Sequence, residues 1–374
     1  MTRATTTAAA GGELALCLKQ APINWAPALA IDPNPMKRFF LLAAMLVSQA
    51  TLAAPVNQDD YAHAQMRVDI GGGRKMNVFC KGNGSPTVVF ESGSGQAGWD
   101  WLLVHPVIAR KTRACLYDRA GLGFSDASGR PGSGANAVDD LHRLLSAAEI
   151  KPPYVLVGHS SGGMMSQIYT YTYPQEVVGL VLVDAGHEDE VARLNRVSAG
   201  RFDKMLAEYQ EGAKACVAAA QKGTLVPGSE AFQQCVGPAP RMFKGSLAKA
   251  YLSNRVSAGY WEAAQSEDDN DHLSADQLRA ARKSFGDLPL AYLTRGVSPY
   301  ADPTKPPSEM SKAAEKDVKA MHDEIAKLST RGSNRVVPAA GHSIHVDKPQ
   351  AVIDATLDVL KQARSLPGAF SPGP

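Results

Sequence analysis

Positive and negative charge nearly balance in this chain: 39 Lys and Arg stand against 37 Asp and Glu, a formal net charge of +2. The two signs are mixed along the sequence, so no basic stripe is available to follow a phosphate backbone, and no nucleic-acid partner is expected. Long apolar runs are almost absent. The one near the beginning, Phe39 to Val47, falls short of the about 20 residues a comfortable membrane span needs, and no second one follows. Cysteine is scarce, with five residues in 374. No set of His, Cys, Asp and Glu has metal-ligand spacing. The densest acidic group, Glu267-Asp268-Asp269-Asn270-Asp271, lacks the pattern of a calcium loop and reads as a solvated turn. No internal repeat is found.

Near the beginning, Met36-Lys37-Arg38 is basic, Phe39 to Val47 is apolar, and Ala50, Thr51, Ala53 and Ala54 are small. This is the order of a secretory signal peptide over 36–53, cut ahead of Ala54; an N-terminal membrane anchor is the alternative. Residues 1–35, rich in Thr, Ala and Pro, read as an over-long gene start with Met36 as the initiator, which N-terminal sequencing of the exported protein would test. The expected location is periplasmic or secreted, with no stable membrane insertion after processing. Cys17 would then be lost. Cys80, Cys115, Cys216 and Cys235 would remain, an even number that suits disulfides in an oxidising compartment. Three pairings are open to four cysteines, and four buried thiols are the alternative.

The most informative stretch is Tyr154-Val155-Leu156-Val157-Gly158-His159-Ser160-Ser161-Gly162-Gly163. An apolar strand runs into Gly-x-Ser-x-Gly, and a helix-competent segment starting Met164-Met165 follows. That is the context of a nucleophile elbow, a tight strand-to-helix turn that lifts a serine hydroxyl clear of the backbone. Around it, strand-like and helix-like segments alternate. Strands are expected at Arg74 to Cys80, Thr87 to Phe90, Arg113 to Tyr117, Val155 to Val157, Leu180 to Val183, Leu288 to Thr294 and Asn334 to Val337. Helices are expected at Trp99 to Arg110, Ala137 to Ala148, Met164 to Tyr173, Ser308 to Leu328 and Ala351 to Ala363. Short, continuous apolar strands of this kind are buried on both faces, which implies a mostly parallel sheet with helices on both sides. From His187 to about Phe285 the alternation gives way to helix-prone polar sequence. The expected organisation is therefore a core at 60–186 and 286–365, a helical lid inserted at 187–285, and a disordered tail at 366–374.

Four segments together carry a family resemblance: Val89-Phe90-Glu91-Ser92-Gly93-Ser94-Gly95, Tyr117-Asp118-Arg119-Ala120-Gly121-Leu122-Gly123-Phe124-Ser125-Asp126, the Ser160 turn, and Ala340-Gly341-His342-Ser343-Ile344-His345. On these the chain resembles the α/β-hydrolase superfamily over residues 65–364. The resemblance implies an α/β-hydrolase fold, a mostly parallel twisted sheet with helices on both faces and a helical lid insertion. It implies Ser160 as nucleophile and His342 as general base, with His345 as the rival base and His187 a pocket-lining candidate. The acid is open between Asp184, which closes the strand after the elbow helix, and Asp302. Either keeps the chain order serine, acid, histidine; Asp184 at a strand end also suits a turn cap. The oxyanion donors implied are the backbone N–H groups of Ser161 and Ser94. Asp118-Arg119 and the glycines after them have no matching catalytic role and read as structural loop residues. In the family's strand order the second strand lies beside the fourth, which favours Cys80–Cys115 and leaves Cys216–Cys235 within the lid.

The expected activity is that of a serine hydrolase cleaving an ester of a small or medium organic molecule through an acyl-enzyme, with no cofactor. Serine at the elbow argues against the dehalogenase and epoxide hydrolase chemistries, for which the family uses Asp. Aminopeptidase, lactonase, thioesterase and carbon–carbon hydrolase activities stay open because the lid selects the acyl group. Phe202, Met205, Tyr260 and Trp261 either line an apolar pocket or pack the lid onto the core. A non-catalytic ligand-binding protein on the same fold is the second class of reading.

Overall fold

A computed structural model describes residues 56–301 and 304–365. The leader, residues 1–35, Asp302 and the tail from 366 lie outside the described residues.

Among the described residues a 3-10 turn (Gln58–Tyr61) precedes β1 (Met66–Asp69), β2 (Lys75–Lys81) and β3 (Thr87–Glu91), then a one-turn α1 (His105–Ile108) and β4 (Ala114–Tyr117). Next come α2 (Gly134–Ala147), β5 (Tyr154–His159), α3 (Ser161–Thr172) and β6 (Val177–Val183). Six helices follow without an intervening strand: α4 (Glu190–Ser198), α5 (Arg201–Gln221), α6 (Glu230–Cys235), α7 (Gly245–Arg255), α8 (Ala258–Asp269) and α9 (Asp271–Ala281). The alternation resumes with β7 (Leu290–Arg295), α10 (Glu309–Ala326), β8 (Gly332–Val337), a short α11 (Ile344–Asp347) and α12 (Pro349–Arg364). The eight strands form one sheet in the order β1-β2-β4-β3-β5-β6-β7-β8. The β1–β2 and β2–β4 pairs are antiparallel, and every other pair is parallel.

Strand periodicity explains why the core is two-sided. In β5, Val155 and Val157 join one apolar layer while Tyr154 and Leu156 join the other. In β6, Val181 and Val183 face the first layer, with Leu180 and Leu182 facing the second. Successive strand side chains point to opposite faces, so a continuous Val/Leu run buries both. Val352 and Val359 of α12 close the first layer; Leu141 and Leu144 of α2 and Ile168 of α3 close the second. Each such side chain contributes about 1.5–3 kcal/mol on burial. The parallel centre therefore needs helices on both sides, and the parallel strand ends gather at one edge.

Two elements of the first half of the chain differ from the sequence expectation. The helix expected over Trp99 to Arg110 is a 3-10 turn at Gly98–Trp101 followed by α1. Pro106 stands in the first turn of α1; it lacks the N–H that a helix running through from residue 102 would need. Strand β1 was not anticipated, because its four residues are largely exposed at the sheet edge and carry no apolar run.

Cys80 and Cys115 are register partners on β2 and β4 and form a disulfide. Cys216 on α5 and Cys235 at the end of α6 form the second. Among the described residues no helix is long and apolar enough to cross a membrane.

Candidate active site

The Gly-x-Ser-x-Gly segment makes the β5–α3 turn. Ser160 holds φ 54 and ψ −127, a conformation that L-residues avoid and that marks strain kept by its surroundings. Two backbone bonds over-determine it: the Ser160 amide donates to the Val183 carbonyl, and its own carbonyl accepts from the Gly186 amide. Gly162 shows why the turn tolerates no side chain there. A Cβ on it would stand 2.4 Å from the Ser92 carbonyl oxygen and 2.6 Å from that of Glu91, so the first turn of α3 rests directly on the end of β3.

Asp184 directly follows β6 and is also at positive φ, 42°. Its Oδ2 accepts from His342 Nδ1 at 2.7 Å. With Nδ1 used as donor to a carboxylate, the Nε2 of the neutral ring keeps its lone pair. The carboxylate side chain is fully buried while the imidazole is 43% exposed, so an anchored carboxylate meets an accessible imidazole. Arg295, at the end of β7, also binds this carboxylate: its amide donates to Oδ1 at 3.0 Å and its Nη1 to Oδ2 at 2.9 Å. Burial alone would raise the Asp184 carboxyl, but the Arg295 guanidinium and the His342 hydrogen bond outweigh it and hold the group well below the usual carboxylate range.

His342 lies in the loop between β8 and α11, and the residue before the serine ties that loop to the elbow. His159 Nε2 is 3.0 Å from the His342 carbonyl oxygen, and the two rings are 4.7 Å apart between centroids. The turn carrying Ser160, the Asp184 strand end and the His342 loop thus meet at one edge of the sheet. No hydrogen bond joins the Ser160 hydroxyl to the His342 ring among the described residues; such bonds commonly tighten only once substrate is bound.

His345 lies elsewhere. It is buried against His159 and Trp101, and neither of its ring nitrogens has a hydrogen-bond partner. Burial pushes its imidazole down to about 3, which makes it a neutral packing residue. His187 is likewise buried, bonded to the Asp189 amide and Arg282, and does not line an open site. Phe202 packs with Leu194, Val318 and Met321, whereas Tyr260 and Trp261 pack on Leu122. These three aromatics fasten the insertion to its surroundings.

The Ser92–Gly95 loop follows β3 and faces the elbow. A Cβ on Gly93 would be 2.9 Å from His159 Nδ1 and 3.2 Å from Ser160 Cβ. The Gly93 amide donates to Gln96 Oε1 and the Gly95 amide to Glu267 Oε2. No protein acceptor is found for the Ser94 amide among the described residues. Ser161 is the first residue of α3, where a backbone N–H has no intrahelical acceptor.

Sequence reasoning missed four contributors. Arg295 is a cation ending an otherwise apolar strand, a signal visible in Leu290–Arg295 once the strand is drawn. Gln96 has no distinguishing pattern. Arg119 and Glu267, taken as a loop residue and part of a solvated turn, form a buried ion pair at 2.6 Å. The acidic cluster is accordingly the end of α8 and the start of α9, with Glu267 turned inward. No group of three or more His, Cys, Asp or Glu that could hold a metal is found among the described residues.

The sequence profile of the Alpha/beta hydrolase family matches residues 88–355, and the chain belongs to that family. An "AB hydrolase superfamily protein" of Gibberella zeae is 22% identical over 336 residues, covering 83% of this chain and 99% of its own. YqjL of Bacillus subtilis is 35% identical over 104 residues, 28% of this chain and 41% of that protein. The matches to the first curated relatives span only 16% to 41% of those proteins' lengths. Among solved structures, a candidate lipase from Acinetobacter baumannii superposes with a TM-score of 0.57 at 18% identity, over 82% of this chain and 95% of that one. A candidate epoxide hydrolase from Pseudomonas aeruginosa does so with 0.58 at 16%, over 80% and 95%. Likeness at this identity shows the fold: an α/β-hydrolase sheet with helical insertion α4–α9.

Proposed function

We propose that this chain is an exported serine hydrolase that cleaves an ester of a small or medium organic molecule through an acyl-enzyme. Ser160 is the nucleophile, His342 the general base, and Asp184 the acid that orients it. Ser160 Oγ attacks the ester carbonyl carbon and its proton passes to His342 Nε2. The negative charge that develops on the carbonyl oxygen is met by the Ser94 and Ser161 amides. The His342 proton then goes to the leaving alcohol as the C–O bond breaks. Water, deprotonated by the same imidazole, attacks the acyl-enzyme carbonyl; the acyl–Oγ bond then breaks, His342 returns the proton to Ser160 Oγ, and the carboxylic acid product leaves.

The observation that carries this reading is the bond between His342 Nδ1 and a fully buried Asp184, beside a serine held at positive φ. It fixes the tautomer a general base requires. Serine at position 160 also separates this chain from the chemistry named for the epoxide hydrolase neighbours, for which the family uses an aspartate nucleophile. Two disulfides fit passage through an oxidising compartment, which supports the export part of the proposal.

A fluorophosphonate probe tests it. Wild-type protein should label at Ser160 and Ser160→Ala should not, while p-nitrophenyl esters graded by acyl length report the acyl preference. Equal labelling of the two proteins, or no labelling of either, would remove the proposal.

A further inference from the structure

Helix α8 belongs to the insertion, yet its last turn is built into the loop that carries the Ser94 amide. Arg119 sits between them. Its Nε donates to Glu267 Oε1 at 2.6 Å and its Nη2 to Glu267 Oε2 at 2.9 Å. Its Nη1 donates to Glu91 Oε1 at 2.7 Å and to the Ser92 carbonyl, while Nη2 also donates to the Gly93 carbonyl at 2.6 Å. The Arg119 side chain is only 5% exposed, with those of Glu91 at 4% and Glu267 at 8%. Glu267 Oε2 in turn accepts from the Gly95 amide at 2.9 Å. Its neighbour Asp268 accepts from Ser94 Oγ at 2.7 Å. Around the Ser94 amide, the two preceding carbonyls, both flanking glycine amides and the serine's own hydroxyl are therefore all held, and α8 supplies the acceptors for two of these.

We propose that Glu267 is a positioning residue for the oxyanion loop, so that the insertion contributes to transition-state stabilisation and α8 is a fixed wall of the site. This rests on the serine-hydrolase reading above. Preorganised donors act at full strength only where the oxyanion forms, and losing one outright costs about 10²–10³-fold in kcat in a serine protease. A carboxylate is needed at 267 because it must accept from a guanidinium and from the Gly95 amide together. The amide of Glu267→Gln keeps the shape but offers one acceptor oxygen where two are used, and it leaves Arg119 facing an NH2 group.

The test uses the whole chain with p-nitrophenyl butyrate. Active sites are first titrated with fluorophosphonate, so that kcat is expressed per competent site. Glu267→Gln should lower kcat per titrated site about 10–100-fold, a part of the loss expected for a missing donor, with KM changed less than about twofold. Glu267→Asp should restore part of it. If Glu267→Gln does not fold, Asp268→Ala, which keeps the Arg119 pair and removes the acceptor of the Ser94 hydroxyl, should lower kcat per site in the same sense with KM unchanged. A smaller titratable fraction with normal kcat per site would mean Glu267 only supports the fold, and would overturn the proposal. Unchanged kcat in Asp268→Ala would do the same where Glu267→Gln is not obtained. A wild type that neither labels nor turns over would sink the serine-hydrolase reading itself, and this inference with it.

Discussion

Arg295 offers the sharpest test of how the proposed acid is held. Its amide donates to Asp184 Oδ1 at 3.0 Å and its Nη1 to Oδ2 at 2.9 Å, the oxygen that also accepts from His342 Nδ1 at 2.7 Å. The guanidinium offsets the burial that would otherwise raise this carboxyl. Arg295→Gln removes that charge and leaves a fully buried carboxylate beside a neutral amide. The Arg295 side chain is 4% exposed and also pairs with Glu315, so the variant should lose about 3–5 kcal/mol of stability in urea unfolding near neutral pH, as when one partner of a buried pair is removed. The acid side of its stability curve should also be flatter than that of wild type, because the folded carboxyl is no longer held so far below its unfolded value. A loss under about 1 kcal/mol, or an acid side as steep as in wild type, would refute the electrostatic account.

Two further outcomes follow from the same geometry. Asp184→Asn should lower kcat about 10⁴-fold by presenting the wrong imidazole tautomer. Its effect on stability has a defined sign. Asp184 is held below its ordinary value in the fold, so it contributes stability that is present above about pH 4 and is lost as pH falls through the folded value. Urea unfolding of Asp184→Asn should accordingly show a flatter acid side of the stability curve below about pH 4. Replacing Cys216 and Cys235 together by Ser opens a loop of sequence separation 19. This should cost about 3 kcal/mol and appear as faster hydrogen exchange in α5 and α6 with little change in the sheet; equal loss of protection everywhere would show that the bridge stabilises more than the insertion.

The alternating apolar strands, the Gly-x-Ser-x-Gly turn and the helical stretch from His187 were legible because each depends on local rules. A period of two sets strand faces, and a continuous apolar run sets two-sided burial. A glycine is needed where backbones touch, as Gly162 touches β3. The break at Pro106 was equally local, but the apolar residues around it carried a helical pattern that masked it. What local rules leave open is which distant groups meet. Asp184 reads as a strand-end carboxylate, whereas its bond to His342 and its guanidinium partner arise only when β6, β7 and the loop after β8 end at one edge of the sheet. Glu267 sits in a run of five polar residues that by composition belongs in water. Burying it takes an arginine 148 positions earlier, delivered by the loop after β4. Side-chain charge and backbone periodicity are written in the sequence; the partner that offsets the cost of removing a charge from water is decided by how the sheet and its insertion close on each other.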